Sequence, residues 1–409
     1  MGMKPRILGR VIQRALKTFP AIVVTGPRQS GKTTLLKALF SKTHRFVTLE
    51  DPDVRIRAKE DPLQFLEQHE PPVIIDEIQY VPELLSYIKT RIDRKRTPGQ
   101  WLFTGSQNFT LMQGVSQSLA GRVAVLSLLP FSFAERIGEG EIAQNPTTWL
   151  KESTLQQVCE DKVSLSEVIL RGCYPEIASK RAVDRQLWCS SYISTYLERD
   201  VRNIAHIGDL SQFERFLKLC AIRTGQILNQ SEWAKEIGLS VTTIKRWLSI
   251  LETSYQIYLL YPYHKNIGKR LIKSPKLYFN DTALASYLLG LHDRETLLNS
   301  PSFSNLFETM IVTDVLKRFL HSGLTPAIYY LRTYDGLEVD LLLELGQRLH
   351  LFEIKSAMTI WPKHASSLYK VSRDLAPAVL TSFIISASSS NFQLKDGVFN
   401  YSWKNILGF

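Results

Sequence analysis

The chain is 409 residues long, 44% hydrophobic and 22% charged, with a formal charge of +11. At about 100 to 200 residues per domain this length predicts two to four domains, and no apolar run reaches the roughly 18 residues that a membrane-spanning helix needs. The excess of Lys and Arg permits a nucleic-acid partner without requiring one, because net charge governs association rather than fold.

The N-terminal stretch MGMKPRILGRVIQ lacks the apolar core of a signal peptide, and Arg6 stands where a myristoylation signal wants Ser or Thr, so a cytoplasmic protein is expected. After a helix expected over Arg10 to Lys17, AIVVTGPRQSGKTTLLKALF runs from an apolar strand through Gly26, Pro27, Arg28, Gln29, Ser30, Gly31, Lys32, Thr33 and Thr34 into a helix. This is GxxxxGK[ST] in the strand, loop, helix setting it requires. Such a loop turns backbone N–H groups toward phosphate at the positive end of a helix. Lys32 is then placed to reach the outer phosphates and Thr33 a magnesium ion.

PPVIIDEIQ supplies a second buried strand ending in Asp76 and Glu77, at the edge where a parallel α/β sheet presents its ligands. Asp76 is assigned to the magnesium and Glu77 to orienting and deprotonating the attacking water. The plain alternative is a solvated acid pair, but carboxylates closing an all-apolar strand need partners. The basic run Lys89 to Arg96 is read as a solvated face. A third strand, QWLFTGSQN, ends in Ser106, Gln107 and Asn108, polar groups suited to sensing a terminal phosphate. In SLAGRVAVLSLLPFSFAE, Arg122 precedes another apolar run and is a candidate arginine finger at a subunit edge. A structural salt bridge is the equal alternative. Action in cis or in trans, and with it a homo-oligomer, stays open.

Together GPRQSGKTTL, IIDEIQ, FTGS and SLAGRVAVLSLLPFSFAE resemble the AAA-type ATPase module of a widespread prokaryotic family, in which it precedes a C-terminal domain of unassigned role. RGCYPE (Arg171 to Glu176) and YISTYLERDV (Tyr192 to Val201) extend the resemblance over most of the chain. It implies ATP as the nucleotide, supports Arg122 as a finger and puts Pro175 near the base.

From Pro146 to Asp209 the pattern is helical and predicts a lid over the nucleotide. In GQILNQSEWAKEIGLSVTTIKRWLSILE, Ser231 is assigned as one N-cap, Gly238 as the stop and Ser240 as the next N-cap, giving a helix-turn-helix. Trp233, Ile244, Trp247, Leu248 and Leu251 share an apolar face, leaving Thr242, Thr243, Lys245, Arg246 and Ser249 outward. YQIYLLYPYHKNIGKRLIKSPKLYFND then sets two apolar strands around the basic segment His264 to Lys276, a winged-helix layout whose wing suits DNA phosphates. A packing spacer is the alternative. Cys159, Cys173, Cys189 and Cys220 are too far apart for a CxxC site and are expected as reduced thiols in helical segments.

From Ser304 a helix through Phe319, the strand AIYYLRT, the stretch GLEVDLLLELGQRLHLFEIKS, a helix over Ala365 to Leu375 and the strand AVLTSFIISA give αβββαβ order. A two-residue type II′ turn at Gly346-Gln347 pairs Leu345 with Arg348. Counting outward sets Asp340 opposite Glu353 and Glu338 opposite Lys355 on one face, and Leu341, Leu343, Phe352 and Ile354 on the other. Opposed carboxylates repel unless something intervenes. A divalent cation held by Asp340, Glu353 and the Ile354 carbonyl, with Glu308 as a further member, answers that need, and Lys355 then activates water or stabilises phosphate charge. A charged hairpin with an acid of raised pKa is the alternative. D(x12)ExK after a helix bearing Glu308 resembles the PD-(D/E)XK nuclease superfamily, which implies a metal site used for cleavage or kept for binding alone.

The expected fold class is therefore α/β: a P-loop NTPase (AAA-type) parallel sheet over 1–140 with a helical lid over 141–210, a winged helix-turn-helix over 211–295 and a restriction-endonuclease-like α/β domain over 296–409. The expected ligands are ATP and Mg2+, with DNA as partner and no membrane.

Overall fold

A computed structural model describes residues 4–106, 119–141, 146, 163–196, 210–264, 274–395 and 397–408. Gln107, Asn108, Cys159, part of the expected lid, 197–201 and 265–273 of the expected wing lie outside the described residues. The first unit is a parallel sheet of β1 (Ala21–Thr25), β2 (Arg45–Thr48), β3 (Val73–Asp76), β4 (Trp101–Gly105) and β5 (Val123–Ser127), in the order β2-β3-β4-β1-β5. β1, β3 and β4 are buried at every position, as expected of a parallel sheet covered on both faces. Alternate residues serve the two faces. Ile22, Val24, Ile74 and Leu102 pack with the helices Ile7–Ala15 and Lys32–Phe40, while Val23, Ile75 and Phe103 pack with Leu84–Arg94.

A second unit has the antiparallel strands β6 (Gln226–Ile227), β7 (Ile257–Leu260) and β8 (Lys276–Phe279) in the order β6-β8-β7, with helices Leu210–Ile222, Gln230–Ile237 and Val241–Thr253. Asn229, not Ser231, caps Gln230–Ile237 by accepting from the Glu232 amide. The helix thus starts two residues sooner than expected, which leaves Ser231 inside its first turn. Gly238 ends it at φ +70, and Ser240 caps Val241–Thr253. Thr242, Lys245, Arg246 and Ser249 are exposed and Thr243 is half-buried.

The last sheet comprises β9 (Ile328–Arg332), β10 (Glu338–Leu345), β11 (Arg348–Lys355), β12 (Val379–Ser386), β13 (Phe392–Gln393) and β14 (Val398–Ser402), in the order β13-β14-β12-β11-β10-β9. β9, β10 and β11 are antiparallel, and β11, β12 and β14 run parallel. The expected αβββαβ order is present, extended by β13, β14 and a helix Trp403–Gly408. Leu345 pairs with Arg348 around Gly346 at φ +65, and Gln347 stays out of the left-handed region, as a type II′ turn requires. Helix Phe303–His321 shares a core with Leu341, Leu343, Phe352 and Ile354, and helix Ser366–Asp374 shares one with Leu342, Leu351 and Ile384 on the other face.

One hydrophobic core joins residues from Leu129 to Leu407, so the expected boundaries near 210 and 295 are not breaks in packing. Cys173, Cys189 and Cys220 are buried free thiols; Cys173 lies between helices rather than within one. Among the described residues no helix is long and apolar enough to cross a membrane.

Gly26 leaves β1 at φ +148, and a β-carbon there would run into the Leu128 carbonyl. Gly26→Ala should therefore lower the unfolding free energy by about 1 to 3 kcal/mol. Urea unfolding measures this, and an unchanged midpoint would contradict the steric account.

Candidate functional site

The parallel strands β1, β3 and β4 bring the ends of three separate segments to one edge. Beyond β1 the loop reverses through Gln29 at φ +58 and Gly31 at φ +93, and Lys32 Nζ donates to the carbonyls of Gly26 and Pro27 at 3.0 and 2.8 Å. Ser30 is buried behind it. Arg28, Gln29, Gly31, Lys32, Thr33, Thr34, Glu50 and Glu77 line a cavity of about 390 Å³, closed by Tyr192, Thr195 and Tyr196 of helix Arg185–Tyr196. Pro175 stands 3.8 Å from where a Gly31 β-carbon would be.

Asp76, 5% exposed, accepts from Thr33 Oγ1 at 2.6 Å and Thr104 Oγ1 at 2.7 Å on one oxygen, and from Thr48 Oγ1 at 3.3 Å on the other. Thr33 and Asp76 are the hard oxygen donors that magnesium prefers. Glu77 adopts φ +55, a conformation rare outside glycine, which persists where surrounding contacts fix it. Its amide donates to Thr104 Oγ1 at 3.0 Å, and its Oε2 accepts from Ser106 Oγ at 3.1 Å and from Gln79 Nε2. Gln79 also donates to Ser106 at 3.2 Å. Ser106, expected to sense a terminal phosphate, thus meets Glu77. Thr48, Thr104 and Gln79 were missed, although each sits at or just past the end of a strand of this sheet.

Arg122 is elsewhere. It precedes Val123, which pairs with Ala21 at the start of β1, whereas the P-loop follows Thr25 at the other end. Its guanidinium holds Asp93 at 2.5 and 3.1 Å, an ion pair that lowers the Asp93 carboxyl chiefly through that hydrogen bond. A finger role toward this chain's own phosphates is corrected by that placement, since parallel strands put Arg122 on the opposite sheet edge.

The C-terminal carboxylates do gather, but around lysines. Lys276 opens β8 almost fully buried, its Nζ 3.1 Å from Glu308, 2.6 Å from Glu338 and 3.8 Å from Asp340. Lys355 lies 2.6 Å from Glu353 and 3.9 Å from Asp340. Tyr278 donates to Glu308 at 2.6 Å. Among the described residues no group of three or more His, Cys, Asp or Glu side chains is placed to hold a metal ion. In this arrangement two ammonium groups supply counter-charge to Glu308, Asp340 and Glu353, the residues expected to hold a metal. Lys276, expected in a DNA-facing wing, is instead a buried counter-ion.

The register holds from Leu345↔Arg348 to Leu341↔Phe352. At the next step the β9–β10 register shifts between Val339 and Leu342, and Asp340 Oδ2 accepts the Ile354 amide at 2.8 Å. Ile354 thus donates its N–H to this cluster, and Glu338 pairs with Lys276 rather than Lys355.

Residues 18–137 match the AAA domain, 162–295 a domain of unknown function (DUF8612) and 303–406 another (DUF4143). The uncharacterized proteins Rv2008c of Mycobacterium tuberculosis and Mb2031c of Mycobacterium bovis are each 30% identical over 388 residues, covering 95% of this chain and 81% of theirs. Among solved structures, the Walker-type ATPase PABY2304 of Pyrococcus abyssi is 15% identical with a TM-score of 0.45, covering 69% of this chain and 94% of its own. Thermotoga maritima RuvB T158V is 16% identical with a TM-score of 0.31, covering 65% and 94%.

Burial, then Asp340, pushes Glu353 up to about 8 against the pull of Lys355, and the same two causes raise Glu308 to about 7 from the ordinary 4.5. Both folded values exceed the unfolded ones, so the folded state holds protons that the unfolded chain releases. The stabilisation is complete below about pH 4.5 and is lost as pH rises through 7 and 8. Glu353→Gln should flatten the fall in unfolding free energy between about pH 5 and 8. Urea titrations across that range test it, and equal slopes for both proteins would refute the assignment.

Proposed function

The chain belongs to the family of these two mycobacterial proteins, and with its AAA domain as premise we propose that it binds and hydrolyses ATP and relays its nucleotide state to the C-terminal units. The observation that carries this reading is that Lys32, Thr33 and Glu77 line one cavity, with Asp76 holding Thr33 and Ser106 holding Glu77 from behind. Lys32 binds the outer phosphates, and the P-loop amides complete the cradle. Thr33 and Asp76 would hold magnesium, which when bound neutralises charge on the phosphate oxygens. Glu77, oriented by Ser106 and Gln79, takes the proton of the attacking water. Arg122 fits a finger role only toward a second copy of the chain, that is, in a homo-oligomer.

The relay is supported by a contact between units. Tyr255, at φ +60 just after helix Val241–Thr253, places its hydroxyl 2.7 Å from Thr25 Oγ1, one residue before the P-loop. Neighbouring Ser254 meets the hydroxyl of the cavity residue Tyr196 at 2.8 Å. Exposed Thr242, Lys245 and Arg246 on that helix are the face offered to DNA phosphates. For the C-terminal sheet the reading without cleavage is favoured, because Lys276 occupies the centre of its carboxylates.

Lys32→Ala should abolish ATP binding, and Glu77→Gln should bind ATP but turn it over at least about a hundredfold more slowly; isothermal titration and phosphate release measure both. Normal turnover by Lys32→Ala would overturn the ATPase assignment. Removing Lys245 or Arg246 should weaken binding of any DNA sequence alike and lower the salt slope by about one each. Plasmid incubated with the protein and Mg2+ or Mn2+ should stay intact, whereas nicking that Asp340→Asn removes would restore the nuclease reading.

A further inference from the structure

The P-loop is held from behind by one side chain, Arg6, that lies outside the matched AAA domain. Arg6 is 7% exposed. Its Nη1 donates to the Ser30 carbonyl at 2.8 Å and its Nη2 to the Leu129 carbonyl at 2.7 Å, while the guanidinium lies 4.8 Å over the Phe131 ring. Nη1 also stands 3.5 Å from where a Gly31 β-carbon would be, so the group sits against the turn that aims Lys32.

The anchor of Arg6 is Glu135, fully buried and 3.2 Å from Nε. Glu135 also accepts the amides of Ile7 at 2.8 Å and Ser132 at 2.9 Å, and its Oε2 lies 3.1 Å from His321 Nδ1. Burial alone would raise its carboxyl, yet Arg6 and His321 hold it well below the usual range. His321 is the last residue of helix Phe303–His321, inside the DUF4143 match. Its Nε2 accepts the Leu129 amide at 3.1 Å, which leaves the proton of the neutral ring on Nδ1, facing Glu135. Leu129 is therefore gripped on its C=O by Arg6 and on its N–H by His321.

We propose that Arg6 is a positioning residue for the nucleotide site, fixing the P-loop through the Ser30 carbonyl, and that the C-terminal unit sets Arg6 through His321 and Glu135. A buried ion pair adds little net stability over apolar packing, so stability alone does not account for a guanidinium here. Its planar fork sets three separate nitrogens against two carbonyls and a carboxylate, whereas an ammonium offers a single nitrogen. The inference rests on the ATP-binding reading above.

The test uses the full chain, with equilibrium binding of a fluorescent ATP analogue and thermal unfolding measured together. Arg6→Lys keeps the charge facing Glu135 but loses the fork. It should unfold near the wild-type temperature while binding the analogue about tenfold more weakly. His321→Gln can still accept from Leu129 and donate to Glu135 and should bind like wild type, whereas His321→Leu should lose about as much affinity as Arg6→Lys. Wild-type affinity in a folded Arg6→Lys overturns the role of Arg6. If Arg6→Lys does not fold, the histidine pair decides, and equal affinity of the Gln and Leu variants overturns the proposal. A wild-type chain that binds no analogue removes the ATP reading and this inference with it, whereas wild-type binding that Lys32→Ala abolishes leaves that reading standing whatever the Arg6 result.

Discussion

In a parallel sheet every strand ends on the same edge, and polar groups that follow apolar strands are delivered there together. The candidate site depends on that constraint. Thr25 closes β1, Asp76 closes β3 and Ser106 follows β4, so three residues separated by some thirty to fifty positions in sequence converge without any long-range motif. The same constraint excludes Arg122, whose strand begins where the others begin. Which polar residues can share chemistry is thus decided by chain direction more than by residue type.

The two polar clusters handle charge differently. Around Asp76 the partners are neutral hydroxyls, which satisfy its lone pairs without bringing a positive charge. Around Asp340 the partners are ammonium groups, and burial leaves Glu353 and Glu308 holding protons well above the usual carboxylate range. A cluster that contains ammonium groups differs in charge from one whose carboxylate meets only hydroxyls, so similar carboxylate counts do not imply similar chemistry.

How much was legible follows from the range of each interaction. The P-loop, the helix caps at Gly238 and Ser240 and the turn at Gly346 are local, and each was readable from a few adjacent residues. Asn229 displaced Ser231 as a cap because both are good cap residues and only the backbone path chooses between them. The hairpin register was readable to Leu341 and then failed, since the bulge next to Asp340 depends on β9, a neighbouring strand that the turn does not specify. Lys276 looked like one more basic residue in a basic run. Its partners Glu308 and Glu338 come from other elements, and the available signal was a lysine opening the fully buried strand KLYF. Arg6 gave no signal at all, because nothing near it in sequence marks it as a neighbour of Ser30.

The core that runs from Leu129 to Leu407 bears on how such a chain is assembled and inherited. Its two matched domains of unknown function are named separately, yet their apolar faces close on each other and on Leu129 and Phe133 of the first unit. Synthesis from the N-terminus therefore leaves the middle helices without their covering until Phe303–His321 and the strands after it emerge. A gene fragment ending near 295 would encode an unfinished interior rather than a smaller protein, which favours transmission of these segments as one piece.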